Sequence, residues 1–283
     1  MVLSLKPSSI VNAGLALFSS RGDKSVDRPA LFVGDSLDAW LLPEGAAHKG
    51  LLVKRSFDGA WDGLVGEIDG ATSRFGDKQA IQITVQNAAD KQQLESRMLA
   101  SVDKLLAVAK FSPKLSDQIR SDACAIGCTV GQLLPMCPEL ELKLEIFGEN
   151  VCSRWHQDHF VGRAITSYTG ALGTEYTDDS NINFWELKHC GNNECIIYNK
   201  EKIKNVAVGD MIFIKGTKFP GVSGSGLVHR SPDKRFHEDG RIVNRLVLKV
   251  DVMSTGGKHP LSAAARTQIA SPRAVKDEIL SVS

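Results

Sequence analysis

The sequence predicts an α+β fold in which helices precede a β-rich core. Residues 91–109 place apolar side chains about every 3.6 residues, which is typical of an amphipathic helix. Later in the chain, Leu140–Phe147 alternates apolar and polar residues as a half-buried strand does. Strand composition also marks Met211–Lys215 and Arg245–Asp251, and a further strand is expected over 160–169.

The helical part is predicted to support the β-rich part. A break at Ser112-Pro113 follows the first helix, because proline is tolerated at a helix start, and a second helix runs to Leu134, where Pro135 ends it. We expect such helices to pack on the outside of a sheet. The predicted organisation is one structural domain with a flexible N terminus (1–24), a helical support region (25–135), a catalytic core (136–253) and a C-terminal tail (254–283).

Composition and charge exclude several classes of protein. The 283 residues include 34 Lys plus Arg and 33 Asp plus Glu, so no net charge attracts nucleic acid. No apolar run reaches the roughly 20 residues that span a bilayer. The expected substrate is a small molecule or a protein side chain. A cytoplasmic location is expected, with organelle targeting as the alternative because residues 1–22 contain Lys6, Arg21 and no acid.

Three residues have the chemistry and spacing of a metal site. His156 and Asp158 point to the same side of an extended chain, and His229 follows 73 residues after His156. Two histidines and one carboxylate on one face of an octahedral ion leave three positions open, an arrangement that suits non-haem Fe(II). These residues are therefore the candidate metal ligands and catalytic residues.

Arg245, 16 residues after His229, is the candidate anchor for a carboxylate. The polar loop 233–244 is predicted to reverse the chain and to bring Arg245 onto a strand beside the one that ends at His229. A guanidinium held there suits a two-pronged bond to the distal carboxylate of 2-oxoglutarate, whose other end chelates iron in oxygenases. A surface ion pair is the alternative reading.

Other polar residues near the motif are weaker candidates. Arg163 and Tyr168 could bind a substrate or co-substrate carboxylate, although Tyr168 could equally be a core residue, and Arg230 is a further candidate anchor. His159 faces away from His156 by strand alternation, which favours a structural role. Glu175 is a candidate replacement ligand or base.

The six cysteines do not indicate a disulfide scaffold in a chain of this length. Cys124 with Cys128, and Cys190 with Cys195, could together form a four-thiolate zinc site. Buried reduced thiols are the favoured interpretation, because neither pair has the usual two-residue gap and free cysteine packs as a small hydrophobe.

The chain resembles the family DUF1826, a domain of unknown function, over about residues 110–251. The resemblance is carried by Cys152-x3-His156-x-Asp158, Thr166–Glu175, Gly209–Gly216 and Gly226–Pro232. It implies a double-stranded β-helix, a cupin-like jelly roll, with an Fe(II) and 2-oxoglutarate site. Tyr176 stands where the family pattern often has tryptophan, a difference that could reshape the pocket wall.

The predicted function is that of an oxidoreductase, an Fe(II)/2-oxoglutarate-dependent dioxygenase. Decarboxylation of 2-oxoglutarate to succinate would accompany oxidation of a substrate C–H bond. One alternative is a cupin-like isomerase or hydrolase in which Arg245 binds the substrate directly. The other is a metal or ligand sensor that is not an enzyme and that uses its cysteines for regulation.

Overall fold

A seven-stranded β-sheet forms the centre of the computed structural model, which describes residues 29–55, 64–88, 90–149, 151–170, 172–222 and 225–253. The strands are β1 (Leu31–Gly34), β2 (Gly50–Val53), β3 (Ala80–Gln86), β4 (Glu139–Phe147), β5 (Gly162–Ser167), β6 (Glu175–Tyr176), β7 (Lys204–Asn205), β8 (Met211–Lys215), β9 (His229–Arg230) and β10 (Arg245–Val252). The large sheet has the order β1-β2-β8-β5-β10-β4-β3, and only β1 and β2 pair in parallel.

Helices cover one face of the large sheet. They are α1 (Leu64–Ala71), α2 (Lys91–Ala109) and α3 (Pro113–Leu133), with the short α4 (Phe184–His189) and α5 (Asn193–Ile196) elsewhere. The carboxylate of Asp90 accepts hydrogen bonds from Gln92 N and Gln93 N and so starts α2, which ends at Lys110 in the left-handed conformation. The bounds of α2 match the prediction, and α3 begins at Pro113 as expected.

A small sheet of three strands, in the order β7-β6-β9, lies over the other face of the large sheet. Side chains from both sheets form one apolar cluster between them, with Leu52, Ile165, Tyr176, Ile212, Ile214, Leu227 and Val247 among its members. The outer face of the small sheet carries a third cluster, built from Trp155, Ile182, Ile196, Ile197 and Val228 with Phe184 and Leu187. The layers are therefore helices, large sheet, small sheet and the α4–α5 segment.

The segment 25–135 is not only a helical support region. It contributes β1, β2 and β3 to the large sheet, so the sheet extends beyond the predicted core of 136–253. The first two of these strands have four residues each and give no periodic signal, whereas β3 alternates Ile81, Ile83 and Val85. The predicted flexible N terminus with its targeting alternative, and the tail 254–283, lie outside the described residues. No helix in the described parts of the chain is long and apolar enough to cross a membrane.

Candidate metal centre

His156, Asp158 and His229 meet between the two sheets. Each residue offers one ligand atom, and these three atoms all lie within 4.8 Å of one another. The Nε2 atoms of His156 and His229 lie 3.7 and 3.6 Å from the two oxygens of Asp158. The two histidines are 73 residues apart in the sequence, and backbone pairing between their chain segments brings them together. His156 and His229 are directly opposite each other, and each backbone N–H donates to the other's carbonyl at 3.0 Å.

Both imidazoles leave Nε2 available to a ligand. Nδ1 of His156 lies 2.8 Å from the carbonyl oxygen of Arg154, and Nδ1 of His229 lies 3.1 Å from that of Leu227. A carbonyl oxygen only accepts, so each Nδ1 carries the proton and each Nε2 presents its lone pair towards Asp158. Metal-binding histidines are oriented by this kind of bond to the second ring nitrogen.

The charges in the centre are those that a cation requires. Burial by itself raises the pKa of Asp158, but the positive charge of Arg163, with smaller contributions from His229 and His156, outweighs it, so that the pKa is lowered. Burial lowers the pKa of His229 to about 4, although Asp158 opposes the shift. At neutral pH the centre therefore holds an ionised carboxylate and a neutral imidazole, the states in which these groups bind metals.

The residues present fit a divalent metal ion. Oδ2 of Asp158 is buried and has no hydrogen-bond partner among the described residues, which is costly unless a cation satisfies it. The gaps of 3.6 and 3.7 Å to the histidines exceed hydrogen-bond length. They are close to the separation of about 3 Å between neighbouring ligands of an octahedral ion with bonds of about 2.1 Å. A set of two nitrogens and one oxygen suits Fe(II).

Arg163 is adjacent to the centre but is already paired. Its guanidinium bonds both oxygens of Asp251, at 2.5 and 2.9 Å, and its Nη1 lies 3.6 Å from Oδ2 of Asp158. Burial lowers its pKa, yet the two carboxylates raise it further, so the net shift is upward. Arg163 was a candidate for binding a co-substrate carboxylate. In the structure it neutralises two protein carboxylates instead.

Arg245 is buried, and its hydrogen bonds to the described residues go to uncharged groups. Its guanidinium donates to the carbonyls of Leu172 and Gly173, both at 3.1 Å, and to the hydroxyl of Ser231 at 3.3 Å. Among the described residues, no carboxylate oxygen lies within 4.0 Å of it. Burial lowers its pKa to about 10, even though Glu145 and Glu175 raise it from a distance. A buried cation that contacts only neutral groups is costly, because no opposite charge compensates for its loss of hydration.

Ser231 is a contact that the sequence prediction missed. It follows His229 by two residues on an extended chain, so the two side chains point to the same side. The spacing i, i+2 was the available signal, as it was for His156 and Asp158. One expectation needs correction: Arg245 begins β10 in the large sheet, while His229 begins β9 in the small sheet, so the two strands face each other and are not neighbours.

The sequence matches a known family over most of its folded part. Residues 68–251 match the family described as "Protein of unknown function (DUF1826)". The chain belongs to the DUF1826 family. The match begins earlier than the predicted resemblance, at a residue of α1, in agreement with the helices and β3 being part of the same fold. No curated protein matches the sequence significantly.

Solved structures similar to this DUF1826 protein are distant. The dioxygenase for auxin oxidation 1 from Arabidopsis thaliana, in its 2-oxoglutarate complex, is 10% identical with a TM-score of 0.43, covering 81% of this chain and 93% of that one. An oxygenase described as putative from Shewanella oneidensis is 11% identical with a TM-score of 0.37, covering 79% and 88%. At these values, the function of this chain has to be inferred from its own residues.

Two further candidates lie away from the metal centre of this DUF1826 protein. Tyr168 packs on the helix side of the large sheet, and its hydroxyl donates to Asp122 at 2.8 Å. Arg230 points to the face of β9 opposite to His229, because consecutive strand residues alternate. It bonds Glu175 at 2.5 Å and stacks 5.1 Å from the ring of Trp155. Neither residue is in a position to bind a co-substrate beside the metal.

The remaining acid and histidine candidates also have other contacts. Glu175 is paired with Arg230 and is not grouped with the three metal-binding candidates, so it is not a replacement ligand in this structure. His159 is exposed, and its Nδ1 lies 3.5 Å from the Thr217 hydroxyl. The side chain of His159 is therefore directed away from the centre, in keeping with strand alternation.

The cysteines do not assemble into a four-thiolate site. Cys124 and Cys128 lie on α3 in the helical layer, whereas Cys190 and Cys195 lie on the α4–α5 segment outside the small sheet. All four are free thiols. The prediction of buried thiols is confirmed for Cys128, and it is wrong for Cys190 and Cys195, which are exposed.

Proposed function

We propose that this DUF1826 protein is an Fe(II)- and 2-oxoglutarate-dependent oxygenase. One observation carries the proposal: the candidate metal-binding set of two histidines and one aspartate lies close to a buried arginine that has no carboxylate partner among the described residues, and Ser231, two residues after His229, contacts that arginine. His229 and Ser231 are separated by about 7 Å of extended chain, and Ser231 contacts Arg245. A five-carbon diacid can bridge that interval, with one end at the metal and the other at the guanidinium.

The layers of the fold support a double-stranded β-helix. The large and small sheets pack face to face around one apolar cluster, and the metal-binding candidates lie between them. His156 extends the small sheet by pairing with His229, so that the small sheet presents two of the three candidate ligands. Asp158 and His229 are buried, whereas the side chain of His156 is 34% exposed, so the site is shielded from water on one side and accessible to a substrate on the other.

In the proposed reaction each side chain has a separate task. His156, Asp158 and His229 hold Fe(II), and the bound metal with 2-oxoglutarate supplies activation of O2 and oxidation of a substrate C–H bond. Arg163 keeps Asp158 ionised. Arg245 and Ser231 bind and orient the distal carboxylate of 2-oxoglutarate, so that the co-substrate enters in a single orientation.

A cavity beside Arg245 gives an anion access to the guanidinium. Its volume is about 430 Å³, including space open to solvent, and its walls include Phe147 and Leu172. Lys234 and Arg235, both exposed, also line it. Asp233 is a further lining residue, so these two cations and one carboxylate leave one net positive charge beside Arg245, which favours an anion such as 2-oxoglutarate. The apolar walls strengthen the bond to Arg245 by excluding water.

The test separates 2-oxoglutarate binding from metal binding. Under anaerobic conditions, Fe(II) and then 2-oxoglutarate are added while the visible charge-transfer band of the chelate is recorded. In Arg245→Gln we expect nearly unchanged Fe(II) affinity and a loss of 2-oxoglutarate affinity of roughly tenfold to a thousandfold or more, because a charge-assisted pair becomes a neutral contact. His229→Ala should impair Fe(II) binding first.

Arg241→Gln is the matched control. Arg241 lies four residues before Arg245 and is exposed, and its guanidinium pairs with the exposed Asp239, so its loss should leave both affinities unchanged. Equal 2-oxoglutarate affinity in Arg245→Gln and Arg241→Gln would contradict the assigned anchor. Absence of any 2-oxoglutarate-dependent band in the parent protein would favour a metal-dependent hydrolase or isomerase, or a sensor.

A further inference from the structure

A second group of metal-ligating side chains lies on the outside of the small sheet. Glu186, Cys190 and Cys195 each offer one ligand atom, and these atoms lie within 4.8 Å of one another. We propose that these three residues bind a thiophilic divalent metal ion, Zn²⁺, at a site separate from the His156–Asp158–His229 centre. The proposal rests on these residues alone and does not depend on the proposed oxygenase activity.

Local backbone structure brings the three side chains together. Glu186 and Cys190 are four residues apart at the end of α4, so their side chains lie on the same face. Gly191, with φ of 69°, reverses the chain in a conformation that favours glycine, and Cys195 returns on α5. Sulfur atoms bound to one tetrahedral Zn²⁺ are about 3.8 Å apart, given Zn–S bonds of about 2.3 Å. Small side-chain rotations therefore suffice for coordination.

The loop that carries these ligands is held in place before any metal binds. The backbone N–H groups of Cys190 and Gly191 both donate to the carbonyl of Glu186, at 3.0 and 2.9 Å. The Asn193 side chain accepts from Trp155 N at 3.0 Å and donates to the carbonyl of Ser153 at 2.8 Å. A preformed loop loses less conformational entropy on binding, which favours a specific site over adventitious binding to scattered thiols.

The donor set determines which metal is expected. Two thiolates with one carboxylate suit Zn²⁺ in tetrahedral geometry, with water in the fourth position because all three residues are at least partly exposed. Three anionic ligands around Zn²⁺ carry a net negative charge. Arg154 lies against the turn, since a Cβ on Gly191 would come within 1.8 Å of its Nη2, and its positive charge is therefore close to the site.

A metal here would join α4 to α5, because all three ligands lie within these two helices and the turn between them. Ile196 of α5 and the α4 residues Phe184 and Leu187 pack with Trp155, the residue immediately before His156. Asn193 already bonds the backbone of Trp155. The expected role of the Zn²⁺ site is thus to stabilise the structure behind His156.

Co²⁺ is the probe that distinguishes a thiolate site from the histidine centre. The full chain, reduced and freed of metal, is titrated with Co²⁺ while the near-ultraviolet thiolate-to-Co²⁺ charge-transfer band is recorded. We expect one thiolate-bound Co²⁺ per chain, displaced by stoichiometric Zn²⁺. Cys190→Ser and Cys195→Ser should each lose at least about half of the band and bind Zn²⁺ at least about tenfold more weakly, and the double replacement should lose the whole band. Glu186→Gln should keep a band but weaken Zn²⁺ binding.

Two control variants show whether the thiolate band comes from the proposed site. Cys152→Ser removes another exposed thiol and His229→Ala removes a residue of the other centre, and both should retain the band. Circular dichroism establishes that each variant is folded. The proposal is overturned if folded parent protein gives no thiolate band, if the band survives in the protein that carries both Cys190→Ser and Cys195→Ser, or if Cys152→Ser weakens it as much as these replacements do. A thiol titration that finds Cys190 and Cys195 joined in a disulfide under reducing conditions would also overturn it.

Discussion

Arg163, which is partly buried, and Arg245, which is buried, differ at the residue scale in the partners that their environments supply. Arg163 and Asp251 are direct partners across β5 and β10, so the register of the sheet neutralises Arg163. Arg245 contacts two carbonyls and a hydroxyl. The i, i+2 spacing of His156 and Asp158 could be read from the sequence. The difference between the arginines could not, because their partners come from distant parts of the chain: Asp251 on β10 for Arg163, and Leu172, Gly173 and Ser231, outside the strands, for Arg245.

Arg163→Met tests the pairing of the buried carboxylates. Without the guanidinium, Asp158 and Asp251 lose the cation that they share, and only the more weakly acting Lys143 and Lys249 remain for Asp251. Breaking such a buried pair costs on the order of 3 to 5 kcal/mol in the free energy of unfolding. Urea denaturation of the metal-free protein measures this loss. Arg120→Met is the control, because its ion pairs with Asp103 and Asp117 are exposed and should contribute less than about 1 kcal/mol. Similar losses in the two variants would contradict the pairing.

At the scale of elements, the predictions from the sequence were most accurate for helices and strands in which the apolar repeat extends over many residues. The 19 residues of α2 give several turns of apolar repeat and a capping Asp90, and its bounds were predicted. Strands β1 and β2 were missed because four residues show no period. The alternation in β3 was present but was read as part of a helical region. Spacing also could not show that β9 and β10 belong to different sheets, since sheet membership depends on packing.

The contact between α2 and α3 depends on glycine. A Cβ added to Gly131 would lie 2.3 Å from Cδ2 of Leu94 and 2.9 Å from Oδ1 of Asn87. We expect Gly131→Ala to lower the free energy of unfolding by roughly 1 to 3 kcal/mol, because crowding outweighs the gain in helix propensity.

Gly66→Ala is the control for Gly131→Ala, because it makes the same substitution in a helix where no other atom is close. A Cβ on Gly66, in α1, meets no atom within 4 Å, so this change should raise the free energy of unfolding by up to about 1 kcal/mol. Opposite signs in thermal or urea unfolding support the close helix contact. A stabilising Gly131→Ala would contradict it.

For the whole molecule, stability should depend on pH through the buried centre. The pKa of His229 falls to about 4 in the folded state, against about 6.5 for an unfolded histidine. Between these values the unfolded chain binds more protons than the folded chain, so the free energy of unfolding of the metal-free protein rises with pH from about 4 to 6.5 and then levels. The contribution is up to roughly 3 kcal/mol.

Comparison with His229→Gln isolates this contribution from the other titrating groups. Urea unfolding of the metal-free parent and variant across pH 4 to 7 should give a shallower slope for the variant, which has no imidazole to protonate. Identical slopes would show that His229 does not carry the dependence. Composition gave no indication of this behaviour, because a net charge of +1 reports neither burial nor the partners of a single histidine.

The most direct test of the proposed oxygenase centre is a crystal structure with Mn(II), a redox-silent substitute for Fe(II), and 2-oxoglutarate. We expect one Mn(II) bonded to Nε2 of His156, Nε2 of His229 and a carboxylate oxygen of Asp158. One end of 2-oxoglutarate should chelate the metal, and its distal carboxylate should lie within hydrogen-bond distance of Arg245 and Ser231. Mn(II) bound away from these three residues, or a distal carboxylate held by other side chains, would contradict the proposed site.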